Sequence, residues 1–249
     1  MNLENEKRAV DTIRRCQRNW DRSSQIPEEH LNHWIYLAQH SPSKQDEAYY
    51  NVYVITNPTL IDKLYDDTWG FSITGSDPFP AIVRNPQVAA SAYFLFTSKM
   101  PKTMRNRNPD GTFRDADYPG RRDNQINAIG MAMGIIAFSA GNLGYVTGFN
   151  KNHGQNSAPV NEIAWRTELN IPIDEKTEYG MGIGWPQSGK RHYDSSETEF
   201  LVGEYPSTKY SINDDVVEWN GITHQNPIKT IYFGTFSEQD KDIQIFKFY

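Results

Sequence analysis

The sequence has almost no cysteine and no long apolar run. Cys16 is the only cysteine among 249 residues, which excludes an intrachain disulfide framework and a cysteine-rich zinc site and favours a reducing compartment. A membrane-spanning helix needs ~18 or more apolar residues, and glycines interrupt the most apolar run, 128–143. The first residues carry no apolar core of a secretion signal. We therefore expect a cytoplasmic protein that does not enter a membrane.

Positive charge is also scarce. The chain has 25 Lys and Arg against 31 Asp and Glu, a formal net charge of -6, so we do not expect a nucleic acid as partner. A local basic cluster can still hold one small anion. Aromatic residues make up 13% of the chain, which is too many for a disordered protein.

The signatures of several common enzyme classes are missing as well. We find no phosphate-binding loop, no dinucleotide fingerprint after the first predicted strand, and no nucleophile elbow. The six histidines lack carboxylates at ligand spacing, so we predict no metal site. We interpret His30 and His33 as solvated helix surface, and Cys16 as a small buried residue on a helix face.

Helical and strand periodicities alternate along the chain and predict one domain of the α/β or α+β class. The predicted helices cover 9–20, 27–41, 58–67, 125–141 and 160–169, and the predicted strands cover 51–56, 91–97, 144–149, 179–185, 229–235 and 243–249. The Gly- and Pro-rich passage 70–80 is expected to be irregular. The polar segment 100–123 is interpreted as a surface excursion or a lid.

The predicted central helix is apolar on more than one side. One seam at helical spacing includes Ile129, Met133 and Ile136, and a second includes Ile135 and Phe138. Such a helix is buried, either in a core or at a subunit interface.

Two basic clusters lie near the ends of predicted elements. Arg14, Arg15 and Arg18 crowd the end of the first predicted helix, and Lys190 and Arg191 follow a late strand. Either cluster alone is typical of a solvated charged patch. Together they can clamp one phosphate, for which guanidinium geometry is well suited.

The order of these blocks resembles the opening of the FMN-dependent nitroreductase family. The chain has Arg14-x-Cys16-x-Arg18-x-Trp20 where the family has Arg-x-Ser-x-Arg/Lys-x-Phe. The turn Ser41-Pro42-Ser43, the strand 50–55, the helix-and-strand block 128–149 and the strand 181–186 follow in the family's order. The resemblance spans most of residues 8–192.

The resemblance implies an α+β fold with a mixed central β-sheet flanked by helices, in an intertwined homodimer with FMN at its interface. It implies a single domain over 1–249, with a possible lid at 100–123 and a C-terminal segment at 228–249 that extends the dimer. The strand 243–249 is expected to join the partner's sheet.

The resemblance also implies which residues bind the cofactor. Arg14, with Lys190 and Arg191, would hold the FMN phosphate, while Arg18 would approach the pyrimidine edge of the flavin. The remaining implied contacts are Arg15 and Cys16 beside these arginines, Ser41, Pro42 and Ser43 from the partner subunit, Arg84 and Asn85 as further polar contacts, and Tyr145, Val146, Thr147 and Gly148 on the strand that passes the reactive edge. No protein side chain is predicted to be catalytic, because the chemistry resides on FMN.

The activity that the resemblance implies is reduction of nitroaromatic, quinone or similar conjugated acceptors by NADH or NADPH, in a ping-pong sequence. Two alternatives stay open. One is a specialised flavin enzyme of the flavin-fragmenting or reductive dehalogenating type. The other is a flavin or ligand binder without turnover, which is favoured by the segment Asp46 to Tyr50 where the family has Asn-x-Gln-Pro-Trp.

Overall fold

The structure is a computed structural model of the chain. It describes residues 3–14, 16–18, 20–68, 71–73, 81–83, 85–102, 106–114, 118–151 and 159–186, and the short strands between 201 and 232.

Helices surround one main sheet. The helices are α1 (Leu3–Ile13), α2 (Glu28–Gln39), α3 (Pro58–Asp66), α4 (Pro119–Asn142) and α5 (Pro159–Leu169), and a 3-10 turn covers Lys44–Asp46. The strands are β1 (Trp20–Asp21), β2 (Tyr50–Ile55), β3 (Phe71–Ile73), β4 (Ala81–Val83), β5 (Ala92–Ser98), β6 (Val146–Asn150), β7 (Lys176–Pro186), β8 (Leu201–Val202), β9 (Val216–Trp219), β10 (Ile222–Gln225), β11 (Ile228–Lys229) and β12 (Ile231–Tyr232).

The main sheet has five strands in the order β1-β7-β5-β2, with β6 also paired to β7. These elements confirm the predicted α+β class. The prediction of a mixed central sheet needs correction, because β1, β2, β5, β6 and β7 pair only in antiparallel fashion. The one parallel pairing among the described strands joins β11 to β4 in a separate three-stranded sheet.

Strand β5 lies at the centre of the fold, and all seven of its residues are buried. Alternate side chains of a strand point to opposite faces. Tyr93 and Leu95 therefore enter a core with α3 and Trp165 of α5, while Phe94 and Phe96 enter a second core with α2 and α4. The sheet is thus covered by helices on both faces.

Local signals explain two of the confirmed helices. Pro27 precedes α2, and Glu28 and Glu29 occupy its first turn, where the helix dipole favours negative charge. Before α3, the Asn57 side chain accepts a hydrogen bond from the backbone N–H of Leu60.

Two helix boundaries differ from the sequence prediction. Helix α1 ends at Ile13, because the next residues leave the helix to run beside β6, where the Gln17 N–H donates to the Thr147 carbonyl at 2.8 Å. Helix α4 begins at Pro119, so residues 119–123 are helical and not part of the surface excursion. The ion pair between Arg122 and Glu178 of β7 fixes this extra turn.

Two further segments, 70–80 and the C-terminal part of the chain, can be compared with their sequence predictions. The passage predicted to be irregular contains β3, which pairs with β4. In the C-terminal segment, β11 and β12 pair with β4 and β8 of the same chain. Residues 243–249 lie outside the described residues, and their role in a dimer stays a prediction.

Candidate functional site

The segment after α1 packs directly on β6. Besides the hydrogen bond from Gln17 to Thr147, the two backbones approach closely at Gly148, where an added Cβ would lie 2.4 Å from the Gln17 carbonyl oxygen. Only glycine fits such a contact. The structure therefore brings residues 14–18 and 145–148 together, although more than 120 positions separate them in the sequence.

Two arginines predicted to bind the cofactor, Arg14 at the phosphate and Arg18 at the pyrimidine edge, belong to this segment. The Arg14 side chain is one-quarter exposed, and its Nε lies 3.4 Å from the Asp11 carboxylate one turn earlier. Arg18 donates from Nη1 to the carbonyl oxygen of Cys16 at 3.3 Å. Each guanidinium group is thus held by a neighbour in its own segment.

The interpretation of Cys16 as a buried residue on a helix face is wrong. Helix α1 has already ended, and Cys16 is only partly buried. Its thiol donates to the carbonyl oxygen of Phe149 at 3.2 Å. On the other side, the Gln87 amide donates from Nε2 to Cys16 Sγ at 3.4 Å and to the Phe149 carbonyl at 3.3 Å.

Gln87 is a site residue that the sequence reasoning missed. It follows Asn85 by two positions in the loop before β5, and that placement beside a predicted contact was the available signal. The Gln87 side chain is 6% exposed, yet among the described residues its Oε1 has no hydrogen-bond partner. Thr147, on the facing strand, is fully buried, and its Oγ1 has no partner among the same residues.

The loop that carries Asn85 contacts the segment after α1 and the strand β6. The indole N–H of Trp20 donates to the carbonyl oxygen of Pro86 at 2.8 Å, and the Asn85 N–H donates to Thr68 Oγ1 at 2.9 Å. Trp20 also packs against Gly148 and Gly182. The loop, the arginine segment and β6 therefore form one cluster, which we call the arginine cluster: Arg14, Cys16, Arg18, Asn85, Gln87 and residues 146–148.

Tyr145 contributes to the core, where its side chain is fully buried. Its ring packs against Trp34 and Trp185, and burial raises the pKa of its hydroxyl, with a smaller contribution from Glu29. The hydroxyl is 2.8 Å from Nδ1 of His30. The interpretation of His30 as solvated helix surface is therefore wrong, since its ring is bonded to the core. Val146 is buried as well, so only the backbone of 145–146 is left to face a cofactor.

The turn Ser41-Pro42-Ser43 does not join the arginine cluster within one chain. It follows α2 and leads to β2, whereas the cluster lies on β6; β7 and β5 separate these strands. At ~4.8 Å between neighbouring strands, the distance across the sheet is about 14 Å. Ser41 instead lines a cavity of about 680 Å³ with Ser43, Glu47 and Lys99. This separation agrees with the expectation that the turn acts on a partner subunit.

The segment Asp46 to Tyr50, which departs from the family pattern, follows a tight turn and carries an inward-facing glutamate. Gln45 and Asp46 adopt positive φ angles of 63° and 55°, which tighten the 3-10 turn. Glu47 then turns inward, is 7% exposed, and accepts a hydrogen bond from the Tyr49 hydroxyl at 2.7 Å. The Glu47 carboxylate is therefore committed to the fold.

Four predicted cofactor residues, Arg15, Arg84, Lys190 and Arg191, lie outside the described residues. Their roles stay predictions.

The described residues that precede α4, 100–102, 106–114 and 118, lie at the opposite end of that helix from the arginine cluster. The last turn of α4 contacts α1 through Gly141 and Ala9, and its first turns contact the sheet through Gln125 and the Lys99 carbonyl. The helix has 24 residues and extends about 36 Å at about 1.5 Å per residue. The interpretation of 100–123 as a lid stays a prediction.

A cavity of about 1090 Å³ lies beside the arginine cluster, with Trp20, Asp21, Arg22 and Asp62 in its wall. Arg22 already pairs with the Asp62 carboxylate at 2.5 Å and with the Pro58 carbonyl at 3.3 Å. The Arg22–Asp62 contact is much shorter than the 3.4 Å contact of Arg14 with Asp11, so Arg22 is the less available phosphate ligand and the arginine cluster is the better candidate for a phosphorylated cofactor.

In the part of the chain that the structure describes, no group of three or more His, Cys, Asp or Glu is placed to hold a metal ion. None of the described helices has both the length and the apolar character to cross a bilayer.

The sequence matches the model of the nitroreductase family over residues 12–185, and the chain belongs to that family. The matched range contains every described residue of the arginine cluster. No curated protein matches the chain significantly.

Solved structures agree in fold. The oxidoreductase YcnD of Bacillus subtilis, described as hypothetical, shares 17% identity at a TM-score of 0.56, covering 78% of this chain and 70% of its own. Nitroreductase A of Vibrio parahaemolyticus shares 16% sequence identity at a TM-score of 0.53, and the match covers 86% of this chain and 79% of that protein. An FMN-dependent nitroreductase of Clostridium difficile shares 13% identity at a TM-score of 0.52, and the match covers 84% of this chain and 99% of that protein.

Proposed function

We propose that the chain is an FMN-dependent oxidoreductase that uses NADH or NADPH to reduce nitroaromatic, quinone or similar conjugated acceptors. One observation carries the proposal: the segment with Arg14 and Arg18 packs on β6 beside two buried atoms, Gln87 Oε1 and Thr147 Oγ1, that have no hydrogen-bond partner among the described residues. Family membership supports the cofactor, and the scarcity of positive charge elsewhere supports its location. The cytoplasm stays the predicted compartment.

The residues of the cluster suit FMN by their chemistry. Arg14, with Lys190 and Arg191, would hold the phosphate, and Arg18 would bind the pyrimidine edge. Gln87 Oε1 would accept a hydrogen bond from a cofactor hydroxyl or N–H. Bound FMN supplies the transfer of a hydride equivalent, so the protein's task is to bind, orient and exclude water.

The strand β6 would orient the reactive edge of the cofactor. Gly148 allows the arginine segment to lie directly against this strand, so both are fixed relative to each other. Tyr145, anchored by His30 and two tryptophans, holds the start of the strand in the core. We propose that Ser41, Pro42 and Ser43 complete the site from the partner subunit of a homodimer.

Cofactor binding is tested by the visible absorption spectrum of the purified full chain before and after incubation with FMN. A flavin spectrum that bleaches on anaerobic addition of NADH or NADPH is the expected result, and menadione should restore the colour. A chain that stays colourless with FMN contradicts the proposal. Bound flavin that neither nucleotide reduces would instead favour the binder without turnover.

The arginine assignment is tested separately with Arg18→Ala. A lost charge-assisted hydrogen bond costs about 1.5–3 kcal/mol, so we expect FMN affinity to fall about ten- to hundredfold. Arg8→Ala, an exposed arginine on α1, is the matched control and should leave the affinity within about twofold. Equal losses in both variants would show that net charge, and not the position of Arg18, governs binding.

A further inference from the structure

His30 of α2 contacts the residue that leads into β6. Its Nδ1 lies 2.8 Å from the Tyr145 hydroxyl, and the two rings meet edge-on with their centroids 5.6 Å apart. The His30 side chain is 27% exposed, so it can exchange protons with solvent, whereas Tyr145 is fully buried. The pair therefore connects solvent to the start of the strand that contributes residues 146–148 to the arginine cluster.

The buried hydroxyl depends on this contact. The Tyr145 ring packs against Trp34 and Trp185 at centroid distances of 5.1 and 4.2 Å, and its backbone N–H donates to the Ala140 carbonyl at 2.9 Å. Water does not reach a fully buried hydroxyl, and among the described residues His30 is its hydrogen-bond partner. Within this part of the chain, the hydroxyl therefore has no substitute when the His30 ring changes its role.

The charge of His30 decides which atom donates. Glu29 Oε1 lies 3.9 Å from Nε2 of the ring, which favours the neutral tautomer with its hydrogen on Nε2. Nδ1 is then the acceptor, and the Tyr145 hydroxyl donates to it. A protonated ring carries hydrogen on both nitrogens, so Nδ1 becomes a donor and the hydroxyl hydrogen loses its acceptor. A buried donor without an acceptor destabilises the arrangement that contains it.

The other groups around His30 do not offset this loss. Glu29 is the charged side chain that faces the ring from α2, and it is 84% exposed, so solvent screens its attraction for a protonated ring. The other neighbours of the pair are the aromatic side chains of Trp34 on α2 and Trp185 on β7, which do not titrate. Burial, and to a smaller extent Glu29, raises the pKa of the Tyr145 hydroxyl, so Tyr145 stays neutral below pH ~10.

We propose that His30 is a positioning residue that makes cofactor binding depend on pH. The neutral ring accepts the Tyr145 hydrogen bond and holds the start of β6 in the arrangement that binds FMN. Protonation of the ring removes the acceptor, releases Tyr145 and weakens binding. This inference rests on the proposed function and concerns the same site. His30 acts through Tyr145, not by contact with the cofactor.

The test measures the FMN affinity of the full chain between about pH 5 and about pH 8, where histidine side chains titrate, by quenching of flavin fluorescence. His30→Asn replaces Nδ1 by an amide oxygen that can accept the same hydrogen bond and does not titrate. The FMN phosphate itself titrates at about pH 6, but the ratio of the two affinities removes its contribution. We expect affinities equal within about twofold at about pH 8. At about pH 5, wild type should bind at least about fivefold more weakly than His30→Asn.

Three further variants separate positioning from packing. His30→Phe fills the site without an acceptor and should bind FMN at least about fivefold more weakly than wild type at about pH 8, so that only asparagine restores binding. Tyr145→Phe removes the hydroxyl and should abolish the pH response measured relative to His30→Asn. His33→Asn changes an exposed histidine on the same helix and should keep the wild-type response.

Circular dichroism checks that each variant is folded, and Tyr145→Phe serves as the reference if His30→Asn does not fold. If wild type responds to pH as the reference does, or if His30→Asn binds FMN as weakly as His30→Phe, the His30 inference is overturned and the proposed function stands. If wild type binds no FMN even at about pH 8, the proposed function fails and the inference falls with it.

Discussion

At the scale of single residues, Tyr93 shows how burial controls a titrating group. It is fully buried on β5, donates to Asn150 Oδ1 at 2.8 Å, and fills the space above Gly180, where an added Cβ would overlap its hydroxyl. Burial raises the pKa of this hydroxyl far above its usual value. The phenolate therefore forms readily only in the unfolded chain.

The consequence is a loss of stability at alkaline pH. Below pH ~10 the Tyr93 hydroxyl keeps its proton in both the folded and the unfolded chain. Above that pH only the unfolded chain releases the proton. The free energy of unfolding should thus fall by up to about 1.4 kcal/mol per pH unit for this one group. Tyr93→Phe should flatten that slope, although losing the hydrogen bond lowers stability near neutrality by about 1 kcal/mol.

Urea denaturation at a series of pH values measures this slope. Phe94→Leu is the control, because Phe94 is equally buried on the same strand and carries no proton. It should lower stability at every pH and keep the alkaline slope. An unchanged slope in Tyr93→Phe would show that another group releases the proton.

At the scale of elements, the Arg122–Glu178 pair joins the first turns of α4 to β7. The Glu178 side chain is 1% exposed. The Arg122 guanidinium binds both oxygens of the Glu178 carboxylate, and the Ser98 hydroxyl donates to the same carboxylate at 2.6 Å. We expect Arg122→Met to cost about 3–5 kcal/mol, because it leaves a buried carboxylate without its cation. Chemical denaturation measures the loss.

A matched control comes from an exposed pair. Lys7 and Glu4 on α1 are separated by 2.8 Å, with 70% and 76% of their side chains exposed, so Lys7→Met should cost at most ~1 kcal/mol. Adding Glu178→Gln to Arg122→Met should recover part of the loss. Equal costs for Arg122→Met and Lys7→Met would contradict the assigned role of burial.

The elements that the sequence predicted are those with local signals. Pro27 and Asn57 mark helix starts, and the apolar run 92–96 marks a buried strand; each depends on neighbouring residues alone. The end of α1 at Ile13, by contrast, depends on a hydrogen bond from Gln17 to Thr147. Such contacts join distant parts of the chain and leave no local pattern.

The candidate site divides in the same way. Arg14, Arg18 and Gly148 were predicted because the family pattern fixes their order, and the structure brings their segments together. Gln87 was missed because only the folded chain brings its amide to Cys16, and His30 was misassigned because its partner, Tyr145, is far away in sequence. A single sequence thus predicts which segments carry the site but not which buried side chains complete it.

At the scale of the whole molecule, α4 exposes an apolar stripe on the side away from its buried residues. Met131, Ile135 and Phe138 on α4 are 40%, 37% and 36% exposed, and their spacing places them on one face. Large apolar side chains grouped on one face are typical of a protein interface. A subunit interface on this helix stays a prediction, which the stripe and the separation of Ser41–Ser43 from the arginine cluster make testable.

We therefore expect Ile135→Glu to convert a homodimer to monomers, because a charge at the centre of an apolar interface must be desolvated without a partner. Light scattering after size-exclusion chromatography measures the mass. Ile173→Glu is the control, since Ile173 is 94% exposed in the loop before β7, and it should leave the mass unchanged. If each FMN site uses Ser41–Ser43 of a partner, the monomeric variant should also bind FMN at least tenfold more weakly. A monomer that binds FMN with undiminished affinity would show that one chain holds a complete site.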